Sequence, residues 1–251
     1  MTRTERDVTQ VFVALAGALA GGDDVVELLT TLTGECARLL DVASAGLLLA
    51  DQRGMLHVMA ASSERTRELE VFQLQREEGP CRDSYLAGAA ISVPDLAAET
   101  GRWPQFTLHA LAAGFASVHA LPMRMRDAKL GTLSLFGTSV GDLNPEDLSL
   151  GQALADVASV AIVQDRTSSD QASINTQLQR ALTSRVVLEQ AKGVLAQQGA
   201  LDMQDAFAVL RRYARDHNLR LSDLAGAVVA RQVPGRLLLD HARARATSQT
   251  G

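Results

Sequence analysis

The sequence predicts an α+β fold in two parts. An N-terminal antiparallel sheet with helices is joined by a long helix to a C-terminal, all-α bundle of three helices. Three observations predict this. Short apolar runs of strand length recur at 43–50, 56–61, 90–93, 117–125 and 130–136, between turn residues and helix-length segments. From 183 onward the apolar residues instead fall at helical spacing. Charge divides at the same place. Residues 1–179 carry 13 Lys/Arg and 23 Asp/Glu, a balance of −10, and residues 180–251 carry 11 and 6, a balance of +5, which together give the chain its −5.

Residues 7–20 and 24–41 have helical patterns, the second capped by Asp23 or Asp24 and burying Val25, Leu28, Leu29, Leu32, Cys36, Leu39 and Leu40. Ala43–Ala50 and Leu56–Ala61 form a hairpin through Asp51-Gln52-Arg53-Gly54. Ser63–Arg76 returns to helical spacing with Leu69 and Phe72 inward, and Gly79-Pro80-Cys81 opens a helix running through Tyr85. A strand at Ala90–Val93, a polar loop holding Trp103, a helix at Phe106–Gly114 and two strands complete a sheet expected to be covered on one side.

Residues 145–198 read as nearly continuous helix, interrupted around 167–170. Ile174, Leu178, Leu182 and Val186 run at i+4 spacing along it. A long apolar seam needs a partner, here the same helix of a second chain or the sheet of its own. In Thr183–Gln198 the residues Val187, Leu188, Ala191, Val194 and Leu195 make one stripe, while Arg185, Glu189 and Lys192 share another face. Gly193 sits in mid-helix, where glycine costs roughly 1 kcal/mol against alanine, a mark of close approach to the backbone. The second helix is capped by Asp202 and carries Ala206, Phe207, Leu210, Tyr213 and Ala214 inward, with Arg211, Arg212 and Arg215 on or near the other side. Asn218 suits a left-handed helix end, and Ser222 is a candidate cap for a third helix with Leu221, Leu224, Ala225, Val228 and Val229 inward. After Pro234-Gly235 the basic tail is expected to be loose.

Two resemblances follow from these residues. Arg185-x5-Ala191-Lys192-Gly193-x-Leu195, Ala206-Phe207-x2-Leu210-Arg211-x2-Ala214 and Leu221-x2-Leu224-Ala225 together resemble the ANTAR domain, a three-helix RNA-binding module of bacterial transcription antiterminators. Gly79-Pro80-Cys81, Val93-Pro94-Asp95-Leu96, Trp103-Pro104, Gly114, Leu121-Pro122-Met123 and Leu130-Gly131-Thr132-Leu133 resemble a GAF-type sensor domain, most of all the form fused to ANTAR in actinobacteria. The resemblances imply a GAF-like domain over 1–165, a helical linker or coiled coil over 166–179, an ANTAR domain over 180–235 and a basic tail over 236–251. They also imply binding to paired RNA stem-loops, one module of a homodimer on each.

Composition narrows the function further. Hydrophobic residues are 47% and charged residues 21%, and aromatics only 4%, so the cores are aliphatic. Two cysteines are no disulfide framework, and no stretch is long enough to span a membrane, so a cytoplasmic protein is expected. The five histidines and two cysteines show no metal-ligand spacing. No phosphate-binding loop, nucleophile elbow or phosphoacceptor pattern is present, and neither an enzyme nor a cofactor is expected. The candidate RNA-binding residues are Arg185, Lys192, Gly193, Arg211, Arg212 and Arg215, read either as phosphate contacts or as solvated ion pairs. Cys81, Tyr85, Trp103 and His119 are candidates for a ligand or redox site in the sensor half. For Cys81 the choice lies between a thiol activated at a helix N-terminus and a small buried turn residue. The resulting reading is an antiterminator acting on nascent RNA under a sensor domain. Its rivals are a DNA-binding regulator using helices two and three as a helix-turn-helix, and a ligand- or redox-sensing GAF protein without nucleic acid.

Overall fold

The computed structural model describes residues 3–21, 24–164 and 174–248. The chain divides into two compact units, Met1–Leu182 and Thr183–Gly251.

The first unit opens with α1 (Arg3–Gly21) and α2 (Val25–Leu39). Asp24 caps α2, its side chain accepting from Val26 N–H at 2.9 Å. Five antiparallel strands follow: β1 (Ser44–Ala50), β2 (Leu56–Ala61), β3 (Ile91–Val93), β4 (Ser117–Met125) and β5 (Ala128–Gly137). Their order across the sheet is β2-β1-β5-β4-β3. The helices between and after them are α3 (Glu64–Arg76), α4 (Pro80–Ala87), α5 (Pro104–Ala112) and α6 (Pro145–Gln164).

The sheet is covered on both faces, not on one. α2 and α6 pack on one side, α3 and α4 on the other. Every residue of β1 is buried as a result. From Ala45 onward that strand is apolar, because a strand with two covered faces has no solvent side on which to alternate. Tight registers depend on single glycines. At Gly131 a side chain would run into the Leu48 carbonyl, and Gly151 of α6 lies against Leu121, Leu135 and Leu40.

The second unit contains α8 (Met203–Asp216), α9 (Leu221–Val229), α10 (Gly235–Ser248) and most of α7 (Ile174–Gly199). Asp202 caps α8 as its sequence position predicts, accepting from Asp205 N–H at 2.7 Å. Asn218 is left-handed, with φ 52°. Ser222, in contrast, lies inside the first turn of α9, whose cap position is Arg220. The three expected stripes meet in a core of Leu188, Ala191, Leu195, Ala206, Leu210, Ala214, Leu221, Leu224, Ala225 and Val228. The basic tail is not loose: it forms α10, which packs on α8 and buries Leu238 and Leu239. Leu239 closes over Gly199, where a side chain would stand 2.7 Å from it. The interruption expected around 167–170 lies outside the described residues, as do the side chains of Ile174 and Leu178. Of the same seam, Leu182 is buried and Val186 is 57% exposed.

Candidate functional site

Helical spacing of i, i+4 and i+7 puts Arg185, Glu189 and Lys192 on one face of α7. Glu189 Oε1 accepts from both cations, from Arg185 Nη1 and from Lys192 Nζ at 3.0 Å. All three side chains are largely covered, at 12%, 18% and 15% exposure in chain order. Among these three side chains one carboxylate faces two cations. The geometry of the cluster is fixed before any partner arrives, which lowers the ordering cost of binding.

The Lys192 ammonium also lies 5.9 Å from the Phe207 ring centroid. Phe207 falls on the apolar stripe of α8 but is only half-buried. Arg211 and Arg215 follow it at i+4 and i+8, so they continue the same ridge of α8, whereas Arg212 is exposed one position round the helix. Gly193 is exposed beside Lys192, and a side chain there would meet nothing within 4 Å. Packing inside the unit therefore does not demand this glycine.

Sequence reasoning also missed a ring cluster at the end of α8. Tyr213 stacks on His217 with centroids 4.0 Å apart, and His241 of α10 meets both rings edge-on while its Nε2 lies 2.8 Å from Asp216 Oδ2. Only the folding of the tail into α10 brings His241 there, so no local pattern announces it.

In the sensor unit the four candidates do not form one site. Cys81 packs with Leu48 and Ala120 on the face covered by α3 and α4. Trp103 belongs to the apolar cluster on that same side, and its indole N–H donates to Asp83 Oδ2 at 3.2 Å. Arg102 reaches the same oxygen at 3.0 Å and lies 4.2 Å over the indole ring, so this trio locks the loop. Tyr85, on α4, stands near Gly54, and burial followed by the Asp51 charge raises its pKa. His119 lies on the opposite face, in register with Leu135, which meets α6. Its Nε2 accepts from Leu143 N–H at 3.3 Å, and burial lowers its pKa against the opposing pull of Asp142.

The Cys81 thiol is fully buried, and burial, then the nearby Glu70 charge, push its pKa well above the ordinary value. That is the opposite of activation at a helix N-terminus. The neighbour responsible, Glu70, is itself wholly buried with Gln73 and Ser134. Two open grooves mark the surface of this unit. One of about 460 Å³ runs between α3 and α5 past Phe72 and His109, whose rings stack at 3.6 Å. Phe72 thus turns to this groove, not to the core. The other, of about 560 Å³, lies among Gly88, Pro122, Arg124, Arg126, Gln152 and Asp156. Neither is lined by Cys81, Tyr85, Trp103 or His119. Among the described residues no three His, Cys, Asp or Glu side chains are placed to hold a metal ion, and no helix is long and apolar enough to cross a membrane.

A GAF-domain family model matches residues 22–163, and an ANTAR-domain model matches residues 176–229. The chain belongs to the GAF–ANTAR family. Solved structures support the fold of the GAF half. The GAF domain of a phosphoenolpyruvate-protein phosphotransferase from Coxiella burnetii is 14% identical, with TM-score 0.50, covering 64% of this chain and 95% of that one. Free methionine-R-sulfoxide reductase from Neisseria meningitidis is 15% identical, also with TM-score 0.50, covering 66% and 92%. No curated protein matches the chain. The GAF–ANTAR protein thus pairs a sensor-type domain with an RNA-binding antitermination domain. The matched ANTAR segment ends before α10, which is additional to it.

Proposed function

We propose that this GAF–ANTAR protein is an antiterminator that binds tandem stem-loops in nascent RNA as a cytoplasmic homodimer, with the GAF domain controlling the RNA-binding half. One observation carries the RNA reading: an exposed mid-helix glycine beside a pre-organised cationic cluster. Gly193 costs its helix roughly 1 kcal/mol, and nothing in its own unit uses the space it leaves. A phosphate or base approaching the α7 backbone would use it. Arg185 and Lys192 supply charge beside it, and half-buried Phe207 supplies a ring for an unstacked loop base. Bivalency follows if two chains each present one such face. Bound in that way, the RNA is held in a fold that competes with a terminator hairpin.

The DNA-binding rival is disfavoured by α9. Its exposed or half-exposed side chains are led by Ser222 and Asp223, a poor set for reading base edges. The redox rival is disfavoured by the burial of Cys81. The fold likeness to a reductase carries no activity to this chain.

The test is binding of the full chain to a tandem stem-loop RNA and to duplex DNA over a salt series. The double variant Arg185→Ala/Lys192→Ala should lose at least tenfold in RNA affinity and flatten the salt dependence, by about 0.7 in slope per lost phosphate contact. Gly193→Ala should raise the thermal stability of the helical unit, by up to roughly 1 kcal/mol, and weaken RNA binding. An RNA affinity untouched by both changes would refute the proposed face.

A further inference from the structure

The inward stripe of α3 is Thr66, Leu69, Glu70 and Gln73, helical in period but largely polar in chemistry. Glu70 is 0% exposed in the middle of it. Its Oε2 accepts from Gln73 Nε2, its Oε1 makes a short contact with Ser134 Oγ of β5, and the Cys81 Sγ lies 3.9 Å from the same Oε1. Beneath the carboxyl is Gly46 of β1. A side chain at Gly46 would stand 2.7 Å from Glu70 Oε1 and 2.8 Å from Ser134 Oγ, so glycine is what lets the acid lie on the sheet.

The groups facing Glu70 are Gly46 from β1, Ser134 from β5, Gln73 from α3 and Cys81 from α4. Thr132, on the same face of β5, is turned to the Cys81 carbonyl at 3.1 Å. None of these is a cation. The only other titratable member is Cys81, whose thiol burial keeps protonated.

Counting protons then distinguishes two states. Ser134 Oγ has one proton and two acceptors in reach: the Gly46 carbonyl at 3.0 Å and Glu70 Oε1. A carboxylate at position 70 takes that proton and leaves the Gly46 carbonyl without it. A neutral carboxyl brings a proton of its own, so that Glu70 O–H donates to Ser134 Oγ while Ser134 donates to the Gly46 carbonyl. Gln73 Nε2 donates to Oε2 in both states.

We propose that Glu70 is a proton-binding site of the sensor unit, in which the bound proton closes a relay from α3 through β5 to β1 and its loss opens that relay. Burial holds the carboxyl up at about 7, against the opposing hydrogen bonds from Ser134, Gln73 and Cys81. The unfolded chain has the ordinary value of 4.5, so the folded unit binds the proton more tightly. The stabilisation is therefore complete below that value and is lost as pH rises through about 7.

The experiment is an infrared titration of the full chain, with thermal midpoints measured over the same pH series. A protonated-carboxyl band should persist close to neutral pH and be absent from Glu70→Gln. The wild-type midpoint temperature should fall across that interval, and the variant should lack that part of the fall. Ser134→Ala removes a partner from both states, but the charge-assisted bond to the carboxylate is the stronger of the two, so the band's midpoint should move to higher pH. A band that titrates at the ordinary carboxyl value, or one that Glu70→Gln leaves in place, would overturn the proposal. If Glu70→Gln does not fold, the wild type and Ser134→Ala decide, and identical midpoints for the two would overturn it.

Discussion

A thiol in the first turn of a helix ordinarily feels the positive end of the helix dipole and ionises more easily. At Cys81 two stronger effects act the other way, exclusion of water and the neighbouring Glu70. Cys36 is driven in the same direction, up to about 12, mainly by burial with Glu35 adding to it. Both thiols should therefore resist alkylation in the folded protein and react only when it opens. Mass spectrometry of native protein treated with a thiol reagent checks this, and rapid labelling of either would contradict the packing. Residues whose role is local were legible before folding: Asp24 and Asp202 bond to backbone two or three positions on, and their spacing shows it. Glu70 was not. It occupies an inward position that hydrophobic periodicity assigns to apolar residues, so a reading by hydrophobicity passes over it and promotes Phe72 instead. The partners that make it tolerable, Gly46 and Ser134, lie 24 and 64 positions away.

Each helix of the C-terminal unit depends on its ends as well as on its stripe. Asp202 satisfies an N–H of α8 that the helix itself leaves unpaired. Asp202→Ala should cost about 0.5–2 kcal/mol of unit stability, measured by chemical denaturation, and should leave Arg211 and Arg215 on the same ridge. The strands were located to within a residue or two because strand length and turn chemistry are local signals. That helices cover both faces of the sheet was harder to see. The apolar run of β1 allows either arrangement until α3 and α4 are known to pack opposite α2 and α6. Cys81, Trp103 and His119 share no cavity for the same reason: the sheet stands between His119 and the other two.

The two units differ in charge as well as in architecture. An acidic sensor half disfavours polyanions, in keeping with the proposal that RNA binds the basic half. The proposed homodimer predicts that the chain elutes at twice its 26.7 kDa mass in light-scattering chromatography and binds a two-loop RNA far more tightly than a one-loop RNA. Equal affinity for the two RNAs would remove the bivalent reading while leaving the single face intact. Core loss in one unit should be felt there first. Leu238→Ala, at a position of 0% exposure, should cost about 2–5 kcal/mol in the helical unit and lower its melting while the sensor unit's transition stays in place.

α10 carries a practical lesson about where this protein can be cut. Likeness to relatives draws the border of the RNA-binding module at residue 229, but packing draws it later. A piece trimmed at the first border would lose the leucines at 238 and 239 together with the imidazole that reaches Asp216, and it would expose the surface around Leu195 and Gly199 to water. Such a piece would be sticky and short-lived in solution, and its failure to hold RNA would say nothing about the intact molecule.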